Sequence, residues 1–138
     1  MTRLAVLAAV LTLAGCGLAG CGLDVNLGDL FLVTRTGPGA KLTMLVNQSG
    51  QISCNGGKQK MLSSSDLITA RDLAVDLAND ATAKLTIPAP AGTVYYYRVD
   101  LQQGTVSFPD RGVFGHPYLA QLEQFTVQAA QQYCGVGS

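Results

Sequence analysis

The chain has 138 residues, 48% apolar and 13% charged, with nine basic residues against nine acidic and a mean hydropathy above zero. This length suits one domain, and the balanced charge excludes both a nucleic-acid footprint, which needs clustered Lys and Arg, and an acidic or basic tail. The lack of Trp, the single His and the 16 Gly argue against an elaborate cofactor site.

The apolar excess begins at the start of the chain. Met1-Thr2-Arg3 is followed by Leu4 to Leu13, apolar except at Thr12. A basic residue ahead of about ten apolar ones is the plan of a secretory signal peptide; a membrane-spanning helix needs ~20. The run breaks at Ala14-Gly15-Cys16-Gly17, and no second stretch of spanning length occurs after it. The expectation is an exported chain without a transmembrane anchor.

The segment after the apolar run resembles the lipobox of bacterial lipoproteins, Leu-small-small-Cys, and the motif occurs twice, as Leu13-Ala14-Gly15-Cys16 and Leu18-Ala19-Gly20-Cys21. The resemblance implies a diacylglycerol on the thiol, cleavage before it, and the lipidated Cys as the first residue of the mature chain. Cysteine counting bears on which copy is used, because disulfides persist in an exported protein. Cleavage before Cys16 leaves Cys21, Cys54 and Cys134, which cannot all pair internally. Cleavage before Cys21 leaves only Cys54 and Cys134. The even count favours Cys21, while Cys16, closer to the apolar run, is the alternative. Residues 1–20 are then the signal peptide, 21–29 the lipidated Cys with a short linker, and 30–138 the domain.

Removing residues 1–20 removes Arg3 as their one charge, so the remainder stays near neutral and lacks a polybasic second anchor. The lipid alone has to hold it. The linker, Gly22 to Asp29, reaches at most about 25–30 Å, which keeps the domain near the bilayer. The residue after the lipidated Cys is Gly22 or Gly17, not Asp. The lipoprotein resemblance therefore implies the outer membrane in a diderm host and the outer leaflet of the plasma membrane in a monoderm.

Leu30 to Val33 reads as a strand ended by the turn cluster Thr36-Gly37-Pro38-Gly39. Lys41 to Val46 and Gln51 to Cys54 form a hairpin through Asn47-Gln48-Ser49-Gly50, and Asn55-Gly56-Gly57 turns again. Ser63 is set to N-cap a helix, with Asp66 three residues on and Leu62 and Leu67 as a hydrophobic staple. That helix runs to about Lys84. Its apolar stripe is Leu67, Ala70, Ala74, Leu77, Ala78 and Ala81, with Leu73 at the margin. Ile87-Pro88-Ala89-Pro90 prevents continuation.

A second hairpin comes next. Tyr95, Tyr97, Val99 and Leu101 alternate with Val94, Tyr96, Arg98 and Asp100, Gln102-Gln103-Gly104 turns, and Thr105 to Phe108 returns. Pro109 to Pro117 is a Gly- and Pro-rich loop. Pro117 opens a last helix at N1, with Leu119, Leu122, Phe125, Ala129, Ala130 and Tyr133 inward and Gly135 as its stop. The predicted fold is α+β, about five antiparallel strands with two helices on one face in the order β-ββ-α-ββ-α. A Cys54–Cys134 disulfide would staple the last helix to the sheet.

Chemistry finds few carriers. His116, the one His, precedes Pro117 in a loop and belongs to no Gly-x-Ser-x-Gly or triad pattern. Asp72, Asp76 and Asp80 share one helix face, but calcium needs 6–8 oxygens, usually from a wrapping loop. Glu123, the only Glu, sits among surface glutamines. No P-loop or dinucleotide fingerprint occurs, and Asn47-Gln48-Ser49 is an incidental sequon. No catalytic residue, metal site or cofactor is expected.

The informative surface is the sheet face opposite the helices, carrying Tyr96 and Arg98 with Thr43, Leu45 and Ser53 beside them. Tyr and Arg are enriched at binding hot spots. The 109–117 loop, with Arg111 and Phe114, is a second candidate. An antiparallel sheet with two helices on one face, and the segment Leu42-Thr43 through Gly50 to Ser53-Cys54, resembles the Streptomyces subtilisin inhibitor family. That family has two disulfides, one bracing its reactive loop. No cysteine flanks 109–117, so the inhibitory site does not carry over. The expected function is a lipid-anchored extracytoplasmic binding or assembly module, partnered by the membrane and an envelope protein and not by nucleic acid. A protease inhibitor and a small hydrolase using His116 are the alternatives.

Overall fold

The computed structural model describes residues 24–136; Cys16 and Cys21 lie outside them. The described residues form strands β1 (Asp29–Thr36), β2 (Leu42–Asn47), β3 (Gln51–Cys54), β4 (Lys60–Met61), β5 (Tyr96–Leu101) and β6 (Gly104–Pro109). The helices are α1 (Ser64–Asp76), α2 (Ala78–Thr82) and α3 (Pro117–Tyr133). The strands make one antiparallel sheet in the order β4-β3-β2-β1-β5-β6.

β1 lies inside the sheet, with Val33 facing Met44 of β2 on one side and Val99 of β5 on the other. Strand alternation sends Phe31, Val33, Met44, Val46, Ile52, Tyr97, Val99, Val106 and Phe108 to one face, all buried. There they meet Ala70, Leu73, Leu77 and Ala81 of α1 and α2 and Leu119, Leu122, Phe125 and Ala129 of α3 in one core. The α+β architecture, with its helices packed on a single sheet face, results from this one-sided pattern.

Local signals set the helix ends. The Ser63 hydroxyl accepts the Asp66 N–H at 3.2 Å, satisfying one of the first-turn donors that would otherwise lack a partner. Pro117 stands at the start of α3, and Gly135 at φ +64° lies just past its end. Three details depart from the sequence expectation. The order is β-βββ-αα-ββ-α, because Lys60–Met61 adds a sixth strand: Met61 pairs with Gln51, Lys60 with Ile52, and the Leu62 N–H donates to Gly50 O at 2.8 Å. The single long helix is two, divided at Leu77 (φ −87°, ψ −6°), although Leu77 N–H→Leu73 O and Ala81 N–H→Leu77 O bridge the break. Leu73 is 1% exposed, at the centre of the stripe and not its margin.

Cys54 and Cys134 are joined, with Cα atoms 5.6 Å apart across a sequence separation of 80. The chain-entropy model gives such a loop about 4–5 kcal/mol. Tyr133 reinforces the joint. Its hydroxyl donates to Asp66 at 2.5 Å and accepts the Ser63 N–H at 3.0 Å, while Lys60 Nζ donates to its carbonyl at 2.5 Å. The last turn of α3 therefore also caps the first turn of α1.

At the other edge, Thr86 bridges Ser107 in parallel, with Ile87 N–H→Ser107 O and Ser107 N–H→Leu85 O at 2.9 Å each, so the backbone of β6 is paired on its outer side. The β5–β6 turn presses on α2. Gly104 has φ +151°, and a Cβ there would lie 2.2 Å from the Ala81 carbonyl oxygen. Equilibrium urea unfolding should show Gly104→Ala losing ~3 kcal/mol, and Gly39→Ala, at φ +83° with open space around it, ~1 kcal/mol. Equal losses would contradict the close approach.

Candidate functional site

The alternation that fills the core leaves the other sheet face to Leu32 and Thr34 of β1, Thr43 and Leu45 of β2, Ser53 of β3, Arg98 and Asp100 of β5, and Thr105 and Ser107 of β6. No helix among the described residues covers it. A groove of about 740 Å³ runs there, lined by Leu32, Thr34, Thr43, Arg98, Asp100 and Gln102, with Asp24 and Val25 of the incoming chain at its edge. The Gln102 side-chain amide donates to the Asn26 carbonyl and holds that incoming chain in place.

Arg98 and Asp100 are two apart on one strand and so share the face. They form an ion pair at 3.0 Å, with Arg98 60% exposed. Asp100 Oδ1 also accepts the Arg98 Nε–H at 3.1 Å and the Thr105 hydroxyl at 2.6 Å. The carboxylate is thus committed, and the guanidinium is held flat on the sheet with donors still toward water. An exposed pair of this kind contributes little stability, so its effect is to fix the position of Arg98. Tyr96 is half-buried on the same face, but its hydroxyl donates to Ile87 O at 3.0 Å. It pins the segment beside β6 and is less free to meet a ligand than Arg98.

Arg111 and Phe114 lie elsewhere, at the end where β6 leaves the sheet. With Pro90, Val113 and Ala120 they line a largely apolar cavity of about 610 Å³, and Phe114 is 93% exposed. Asp110 clamps this loop: its carboxylate accepts the Val94 and Tyr95 N–H groups at 3.1–3.3 Å, and its own N–H donates to Tyr95 O at 2.9 Å. The four candidate residues therefore fall into two places, Tyr96 and Arg98 on the open face and Arg111 and Phe114 at the loop.

Under the loop lies a cluster that sequence reasoning missed. Arg35 is only 7% exposed and stacks over the Tyr95 ring, 4.7 Å from its centroid; the ion pair found among the described residues is Arg98–Asp100, not one made by Arg35. The signal was present, because Arg35 has the parity of Phe31 and Val33, the core side of β1. Tyr97 stacks on Phe108 with centroids 5.2 Å apart. Burial first, then the negative charge of Glu123, pushes its phenol up to about 12, with Arg35 acting in the opposite direction. Burial also raises Glu123, and Asp110 adds to the effect. Glu123 is half-buried, unlike the exposed Gln121 and Gln124 around it.

Shifted groups of this kind mark either functional sites or structural charge networks. Here Arg35 stacks on Tyr95, whose N–H the Asp110 carboxylate accepts, and Tyr97 and Glu123 both feel the Asp110 charge. His116 occupies the N-cap position of α3 without a side-chain capping bond. No group of three or more His, Cys, Asp or Glu among the described residues is arranged to hold a metal.

The Tyr97 shift has a pH consequence. A pKa raised from about 10 unfolded to about 12 folded means that the folded state holds the proton more tightly between those values. Stability is fully present below pH 10 and is lost as pH rises toward 12, by on the order of 2–3 kcal/mol. Denaturation from pH 9 to 12 should therefore show a steeper loss in the parent than in Tyr97→Phe. Parallel curves would contradict a buried, protonated Tyr97.

No family model matches the chain, and no curated protein or solved structure matches it.

Proposed function

We propose that this is a lipid-anchored extracytoplasmic protein, acylated at Cys21 after removal of residues 1–20, whose domain acts without catalysis as a binding or assembly module toward an envelope protein. The observation that carries the reading is the fate of the cysteines. Cys54 and Cys134 are bonded to each other, and a bond of that kind persists in oxidising compartments. Two lipobox-like cysteines remain near the start of the sequence, and cleavage before Cys21 leaves no unpaired thiol. No helix among the described residues is long and apolar enough to cross a membrane, so a covalent lipid would do the anchoring.

The binding role is supported by the chemistry of the surfaces. The open-face groove offers the Thr34 hydroxyl and the remaining donors of a positioned Arg98, groups suited to hydrogen bonding. Its Asp100 is already engaged by Arg98 and Thr105, which suits recognition better than proton transfer. At the 109–117 loop, exposed Phe114 and Arg111 beside an apolar cavity have the composition of an anchor-type contact.

Fractionation of the producing cell tests the anchor. The parent and Cys16→Ser should be found in the membrane fraction and released by detergent but not by high salt. Cys21→Ser should be lost from the membrane fraction. Retention of Cys21→Ser together with loss of Cys16→Ser would move the lipid to Cys16; retention of both variants, singly and combined, would refute lipid anchoring.

A further inference from the structure

We infer that the end of the sheet where β1 begins is the face that the domain lays against the phospholipid surface; the inference rests on acylation at Cys21. Cys21 is three residues before Asp24, and three residues reach at most about 10–11 Å. Asp24 and Val25 are fixed beside the open-face groove, and Gln102 holds the carbonyl of Asn26. A lipid on Cys21 therefore lies within that reach of the groove edge, next to the end where β1 begins.

The same end is assembled from parts tied to one another. The Gln48 N–H donates to Gly28 O at 2.7 Å, and Arg71 Nη2 donates to Gln48 O at 2.8 Å. This line joins the chain before β1, the β2–β3 turn and α1. Along it stand Leu27, 96% exposed, and Val75, 74% exposed, with Ile68 also exposed one heptad before Val75. Exposed apolar tips near a tether suit the interfacial layer of a bilayer.

Charge favours one lipid type over another. Asp29 and the α1 carboxylates of Asp72 and Asp76 accompany Arg71 at this end, while Asp24 shares its groove with Lys41 and Arg98, and carboxylates within a Debye length of about 8 Å are repelled by anionic headgroups. The contact is therefore with zwitterionic lipid and is held by the acyl chains and apolar tips. β1 has eight residues, a rise of about 25 Å, so the Arg111–Phe114 loop at its other end stands that far from the membrane and is open to a partner.

The chain has no Trp, so single-Trp variants report depth. Lipidated Leu27→Trp, Val75→Trp and Phe114→Trp proteins would be reconstituted into phosphatidylcholine vesicles with and without brominated acyl chains, and recovered by flotation. Leu27→Trp and Val75→Trp should lose emission in the brominated vesicles while Phe114→Trp does not, and adding phosphatidylglycerol should weaken the quenching. Floating protein in which Phe114→Trp is quenched, or in which none of the three is, overturns the orientation and leaves the anchor standing. Concentration-dependent shifts of Leu27→Trp without quenching would assign this end to a second copy and likewise overturn it. Protein that does not float refutes the anchor itself.

Discussion

The closure of α3 onto the sheet is the constraint that the remaining structure depends on. A sheet with one apolar face needs a cover across its width, and α1 and α2 supply only part of it. α3 supplies the rest through Leu119, Leu122, Phe125 and Ala129, with Phe125 set edge-on to Phe31 at 5.9 Å between centroids. The helix is held at its far end by Cys54–Cys134 and by the Tyr133 hydroxyl between Ser63 and Asp66. A helix covering a core gains from buried area only while it stays in register. The covalent joint and the shared cap remove the freedom to slide.

This closure produces two unlike surfaces. Burying every inward side chain on one side leaves the outward set, Thr34, Thr43, Arg98, Asp100 and Thr105, in a groove without a cover. The route of the chain from β6 back to α3 then creates the 109–117 loop, and the Asp110 carboxylate holds its base on the Val94 and Tyr95 N–H groups. The open face and the loop lie apart, and the incoming chain enters beside the former. The proposed anchor thus lies beside the open-face groove and the Phe114 loop at the other end of the strands, so the two candidate surfaces differ in their distance from the attachment point.

Much of the fold was legible in the sequence because its signals are local. The Ser63 cap, the Asn47–Gly50 turn, the alternation from Tyr95 to Leu101 and Pro117 at the start of α3 each determine their element without help from distant residues. The features that were not legible depend on neighbours. Lys60–Met61 has no strand pattern of its own and is a strand because Gln51 and Ile52 present an edge to it. The break at Leu77 carries no Gly or Pro. Arg35 is read as a surface cation by type, and only its parity with Phe31 and Val33 gives it to the core, where the Tyr95 ring accepts it. At the candidate site, Arg98 was legible as an outward residue, whereas the engagement of Tyr96 by Ile87 depends on a segment whose path the sequence does not specify.

The cysteines link fold, compartment and anchor, so their chemical state tests the proposed function most directly. The measurement is an intact mass of the membrane-extracted protein without reduction, followed by peptide mapping after thiol alkylation. The predicted result is a chain beginning at Cys21 that carries acyl mass on that residue, a linked Cys54–Cys134 peptide, and no alkylated thiol. A chain retaining residues 1–20 without acyl mass, or alkylation of Cys54 and Cys134, would contradict it.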